Sequence, residues 1–133
     1  YQSDESGASQ VFVRPFPDVE SGLWQVSRAG GQWPEWAPDG DELFYVSTSG
    51  EFIATRVQTE PTFSVGTEVG LFDTNQFYFG PRDGYAVSLD GSRFLMMKTG
   101  GLSVDAEGIG PSRPQIYVVQ DWFQELEQRV PTE

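Results

Sequence analysis

Three carboxylates crowd one short stretch, Asp39, Asp41 and Glu42, and oxygen ligands of this kind suit calcium. Their spacing does not match an EF-hand loop, and Asp39-Gly40 is itself a turn signal, so a structural turn with solvated acids is the favoured reading. Asp4, Glu5 and Ser6 before Gly7 read the same way, and Asp90-Gly91, with no second acid beside it, reads as a turn alone. Paired carboxylates can also hydrolyse glycosides. Twenty acids among 133 residues guarantee chance pairings, however, and nothing singles one out. Ser88 and Ser103 lack a Gly-x-Ser-x-Gly context. The chain has no histidine and no cysteine, which removes histidine acid/base catalysis, Ser-His-Asp and Cys-His triads, the usual zinc sites and disulfides. No catalytic residue, cofactor site or metal site is assigned.

Aromatic residues offer binding rather than chemistry. Trp24, Trp33, Trp36 and Trp122, with Phe77-Tyr78-Phe79, could line a sugar- or peptide-binding surface. Trp24 and Trp36 sit inside strand patterns and are expected to pack. Phe77, Tyr78 and Phe79 lie in a connection, 73–84, next to Pro81, Arg82 and Asp83. Loop aromatics can form a binding patch, so Phe77, Tyr78, Phe79 and Arg82 are the candidate patch, with packing against a neighbouring sheet as the competing reading. The Gly-rich stretch 100–114 is expected to be a flexible loop. A net charge of -12 repels phosphate backbones and anionic lipid, so nucleic-acid binding is disfavoured. No apolar run approaches the ~18 residues of a transmembrane helix.

The elements that must position these residues are strands. Aromatics are 14 % of the chain, and 15 Gly and 9 Pro supply turns. Short apolar runs recur at 10–14, 23–27, 33–36, 42–47, 51–57, 69–72, 85–88, 93–97 and 115–119. Such spacing fits a sandwich, a barrel or a propeller. An internal repeat separates them. Trp36-Ala37-Pro38-Asp39-Gly40-Asp41-Glu42-Leu43-Phe44-Tyr45 aligns with Val87-Ser88-Leu89-Asp90-Gly91-Ser92-Arg93-Phe94-Leu95-Met96, and Tyr45-Val46-Ser47-Thr48 aligns with Tyr1-Gln2-Ser3-Asp4. Each Asp-Gly pair is a strong two-residue hairpin signal, because both central positions tolerate φ > 0. The repeat is a four-strand unit read from its middle: the end of one blade over 1–28, a complete blade over 29–73 and an incomplete one over 84–120. That is the organisation of a β-propeller. Asp121 with Gln124 at capping-box spacing, then Trp122, Phe123, Leu126 and Val130, predicts a short amphipathic helix over 121–130, core-facing or partner-binding.

The Trp36-Ala37-Pro38-Asp39-Gly40 stretch resembles the Trp-Ser-Pro-Asp-Gly signature of TolB-type, WD-like blades, with Ala37 in place of the usual Ser. Tyr1-Gln2-Ser3-Asp4-Glu5-Ser6-Gly7, Val13-Arg14-Pro15-Phe16-Pro17, Trp24-Gln25-Val26-Ser27 and Val118-Val119-Gln120-Asp121-Trp122 resemble, in order, the extracytoplasmic propeller of certain bacterial membrane-anchored Ser/Thr protein kinases. The pattern departs over 99–114. The resemblance implies an extracytoplasmic sensor or interaction role. The kinase's own nucleotide loop, His-Arg-Asp and Asp-Phe-Gly are absent from this sequence, so kinase activity does not transfer.

Blades take ~40–45 residues, so 133 residues make about two and a half to three, whereas closed propellers need roughly four to eight. The expectation is a partial β-propeller acting as a non-catalytic scaffold for a protein or small-molecule ligand. It would complete its ring as a homo-oligomer or with missing blades of a longer parent. A carboxylate-dependent glycan-processing or other hydrolytic propeller is the alternative.

Overall fold

Glycines set the corners of this chain. The amides of Gly7, Gly40, Gly50 and Gly91 each donate to the carbonyl three residues earlier, on Asp4, Ala37, Ser47 and Ser88, at 2.8–3.0 Å. All four have φ between +70° and +89°, a region where a side chain is strained. Asp39 and Asp90 do not share it: Trp33 is the one described non-glycine residue with positive φ. The Asp-Gly pairs therefore mark turns as expected, but not two-residue hairpin loops. These loops are longer than two residues, and a four-residue turn followed by one left-handed glycine suffices. The aspartate instead braces the turn from its side chain, Asp39 Oδ1 accepting from the Asp41 amide and Asp90 Oδ1 from that of Ser92, each at 3.1 Å.

The computed structural model describes residues 1–5, 7–80 and 84–98, and the backbone of 102–105, 108–111 and 116–120. Every element among them is a strand, so the all-β expectation holds. The predicted helix over 121–130 lies outside the described residues, as do Trp122 and Arg82. No helix among the described residues is long and apolar enough to cross a membrane. The chain divides into two units, 1–74 and 75–133.

The first unit holds two antiparallel sheets. β1 (Gln2–Ser3), β2 (Gln10–Val13) and β3 (Trp24–Gln25) form one. β4 (Gln32–Trp36), β5 (Glu42–Val46), β6 (Glu51–Gln58) and β7 (Ser64–Asp73) form the other, a four-stranded meander in sequence order. β7 runs further than the expected 69–72, and it follows β6 through two register shifts. Val11 of the first sheet and Val26, just past β3, pack on Leu43, Tyr45, Ile53 and Val57 of the second, with Val13, Phe63 and Val65 at the margin. Burying each such side chain contributes roughly 1.5–3 kcal/mol.

Polar bonds register the two sheets. The Trp33 amide donates to Gln2 Oε1 at 2.6 Å, the Gly31 amide to the Ser9 carbonyl at 2.9 Å, and Thr48 Oγ1 to the Ala29 carbonyl at 2.7 Å. Glu68 Oε1 accepts from both the Arg28 amide and the Tyr45 hydroxyl, at 2.7 and 2.6 Å. Burial and that carboxylate both push the Tyr45 hydroxyl pKa upward. Trp24 packs as expected, its ring 4.8 Å from Phe63. Trp36 does not: it is 42 % exposed, because it ends its strand beside the turn rather than mid-sheet.

The second unit is built on β10 (Arg93–Lys98). β13 (Ile116–Gln120) pairs with one edge of β10. β9 (Tyr85–Val87) and β8 (Phe77–Tyr78) share the other. A hairpin of β11 (Leu102–Asp105) and β12 (Gly108–Pro111) falls between β10 and β13 in sequence. This corrects the expected flexible loop over 100–114: backbone pairing from Leu102↔Pro111 to Asp105↔Gly108 gives much of it a ladder.

Candidate functional site

The acidic turn is the first place to look for chemistry. Glu42 opens β5 and is buried, its carboxylate 3.5 Å from Arg56 Nε on the paired strand. Burial raises its pKa, the Arg56 charge pulls the other way, and Asp39 and Asp41 add to the rise. Among the described residues no three carboxylates converge to hold a metal ion. Ser88 is committed to its turn: its Oγ donates to Asp90 Oδ1 at 2.5 Å and accepts from the Arg93 amide at 2.9 Å. Of Ser103 only the backbone, in β11, is described.

The aromatic patch is placed differently from the expectation. Phe77 and Tyr78 are not in a connecting loop; they form β8, paired as Tyr78↔Met97 and Phe77↔Lys98. The ladder resumes with Tyr85↔Met96, Ala86↔Leu95 and Val87↔Phe94 in β9. Two short strands, β8 and β9, therefore share one edge of β10. Phe79 and Phe77 are half-buried and Tyr78 is 50 % exposed. Arg82 lies outside the described residues.

Sequence reading missed the residues that join Tyr78. Cross-strand partners share a sheet face, so Tyr78, Met97, Leu95 and Ala86 form one surface, and Arg93 continues it along β10. Leu95 is 47 % and Met97 50 % exposed, whereas Phe94 and Met96 on the other face are buried. The signal was the unbroken apolar run Phe94-Leu95-Met96-Met97: a half-exposed strand alternates with polar residues, and this one does not.

A second apolar feature sits between β2 and β3. Phe16 is 91 % exposed between Pro15 and Pro17, and Val19 and Leu23 are also exposed. Arg14 pins this loop, donating from Nη1 to the Val19 carbonyl at 3.0 Å and from Nε to the Tyr1 hydroxyl at 3.2 Å. Comparison with known proteins finds no matching family model, no matching curated protein and no matching solved structure.

Proposed function

We propose that this chain is a non-catalytic β-propeller-type scaffold, an interaction or sensor module whose open sheet faces take further sheets of the same repeat. The single observation that carries this reading is the register of the repeat. Trp36↔Leu43, Glu35↔Phe44 and Gln32↔Val46 in the internal sheet have counterparts in Val87↔Phe94, Ala86↔Leu95 and Tyr78↔Met97. Two separate segments thus build the same strand pair, joined by the same glycine turn, and repetition of one sheet unit is what propellers are made of. The face-to-face packing of β1–β3 on β4–β7 supports the same reading.

The resemblance to kinase-associated propellers makes an extracytoplasmic bacterial setting the natural one. The absence of histidine and cysteine, with both Glu42 and Ser88 engaged in local structure, supports a binding role over hydrolysis. A crystal structure of the purified chain tests the architecture: sheets fanned about one axis are expected, and a closed barrel would overturn the reading. Screening a panel of chromogenic glycosides and esters tests the function. No turnover is expected; turnover abolished by substituting a single carboxylate would establish the enzyme instead.

A further inference from the structure

The repeat sets the same dipeptide, Asp-Gly, into two turns of one backbone design. Between β4 and β5 the Ala37 amide donates to the Glu42 carbonyl and the Gly40 amide to the Ala37 carbonyl, each at 2.9 Å. Between β9 and β10 the Ser88 amide donates to the Arg93 carbonyl at 2.9 Å and the Gly91 amide to the Ser88 carbonyl at 2.8 Å. Gly40 and Gly91 have φ of +81° and +70°. Asp39 and Asp90 are both exposed, and each accepts, through Oδ1, the amide two residues ahead at 3.1 Å. The backbones match, so the side chains around the two aspartates make the difference.

Ser88 supplies it. Its hydroxyl donates to Asp90 Oδ1 at 2.5 Å and accepts from the Arg93 amide at 2.9 Å, and Arg93 Nη2 stands 3.8 Å from Asp90 Oδ2. The Ser88 bond, then those from Ser92, favour the ionised form of Asp90. Ala37 stands where Ser88 does and carries no hydroxyl, and Glu42 stands where Arg93 does and carries the opposite charge. A third turn shows that the serine belongs to the design. Ser47, whose carbonyl accepts from the Gly50 amide, bonds Ser49 Oγ at 2.8 Å and accepts from the Glu51 amide at 3.0 Å. Gly91 is also buried, whereas Gly40 is only partly so.

An aspartate followed by glycine can cyclise. The glycine nitrogen attacks the carbon of the neutral side-chain carboxyl and a Cγ–N bond forms. The amide proton and the carboxyl hydroxyl leave as water, and a succinimide ring remains. Water then adds to one of the two ring carbonyls and breaks its bond to nitrogen. Breaking the Cγ–N bond restores aspartate; breaking the original peptide bond gives isoaspartate, whose main chain runs through Cβ. The attack needs a neutral acid that is free to swing onto the next nitrogen. A carboxylate held ionised by a neighbouring hydroxyl meets neither condition.

We propose that Asp39 is a site of spontaneous isoaspartate formation in the folded protein, and that Ser88 protects its repeat partner, Asp90, from the same reaction. Conversion inserts one main-chain carbon into the β4–β5 turn, close to the pair Trp36↔Leu43, and leaves the net charge unchanged. The proposal stands on the two turns alone and is independent of the propeller-type reading.

The test ages the intact chain in water labelled with heavy oxygen, at about pH 5, just above the usual carboxylate range, and at a temperature where it stays folded. Every succinimide that hydrolyses takes up one labelled oxygen. Electron-transfer fragmentation of the digested chain then assigns isoaspartate residue by residue, which separates Asp90 from Asp83, itself followed by Gly84. Asp39 is expected to convert about fivefold faster than Asp90 or more, the rate equivalent of one hydrogen bond. In concentrated urea the two rates are expected to converge. Ala37→Ser is expected to slow conversion at Asp39, and Ser88→Ala to speed it at Asp90. If Ala37→Ser does not melt cooperatively, Ser88→Ala decides alone. Folded protein in which Asp90 converts as fast as Asp39, a rate ratio that survives in urea, or a Ser88→Ala rate equal to wild type would each overturn the proposal. So would a folded chain that shows no conversion at Asp39 while the urea-unfolded chain converts.

Discussion

The internal sheet β4–β7 and the sheet built on β10 begin as copies and finish differently. Both start with the same strand pair and the same glycine turn. In the first copy β5 turns at Gly50 directly into β6, and Phe52 stacks on Phe44 and Phe72 at 6.2 and 4.9 Å. In the second, the chain passes through the β11–β12 hairpin before β13 returns to pair with β10. Among the described residues the first copy buries side chains on both faces, whereas Tyr78, Leu95 and Met97 of the second are half-exposed. The difference shows that repeat register is held by backbone ladders and turn glycines, while what a face does is decided by the side chains between them.

The largest expected effect separates the buried sheet face from the exposed one. Phe52→Ala should cost about 3–5 kcal/mol, and Leu95→Ala no more than about 1 kcal/mol, in urea denaturation of dilute protein. Equal losses would erase the distinction between the copies. Next comes the seam. A Cβ on Gly31 would lie 2.8 Å from Tyr45 and 2.9 Å from Val11, so Gly31→Ala should cost about 1–3 kcal/mol by overpacking. Gly40 has open space around it but φ +81°, so Gly40→Ala should cost about 1 kcal/mol from backbone strain alone.

Smaller effects distinguish the two turns by pH. Bonds from Ser88, then from Ser92, with Arg93 nearby, lower the Asp90 pKa from 3.8 to about 2; Ala37 offers Asp39 no equivalent hydroxyl. A depressed carboxylate stabilises the fold above its unfolded pKa, and that contribution is lost as pH falls from about 4 to 2. Asp90→Asn should flatten thermal stability across that window, with a modest amplitude because the group is exposed. Glu42 has the opposite sign. Its raised pKa means that folding opposes its ionised form, so stability should rise as pH falls through the raised value. Glu42→Gln should then melt slightly higher than wild type at pH 7, with the gain disappearing below about pH 4.

Much of this architecture was legible because turn chemistry is local. The alignment of 36–45 with 87–96 falls on matching strand pairs, since Asp-Gly at a fixed offset from an apolar run dictates where the ladder restarts. β8 was not legible because six residues, 79–84, separate it from β9, and a two-residue strand beside Gly80-Pro81 reads as a loop. The β11–β12 hairpin was hidden by its glycines, although Leu102-Ser103-Val104-Asp105 does alternate. Of the exposed sheet face, Tyr78 stands in the aromatic cluster that the sequence singles out. Leu95 and Met97 were not, because an apolar run does not reveal which of its faces a neighbour covers.

The most direct test is the mass of the wild-type chain in solution, by light scattering coupled to size exclusion over a concentration series. The account predicts a mass that climbs above the 14.8 kDa of one chain as concentration rises. A mass fixed at 14.8 kDa through the millimolar range would contradict it.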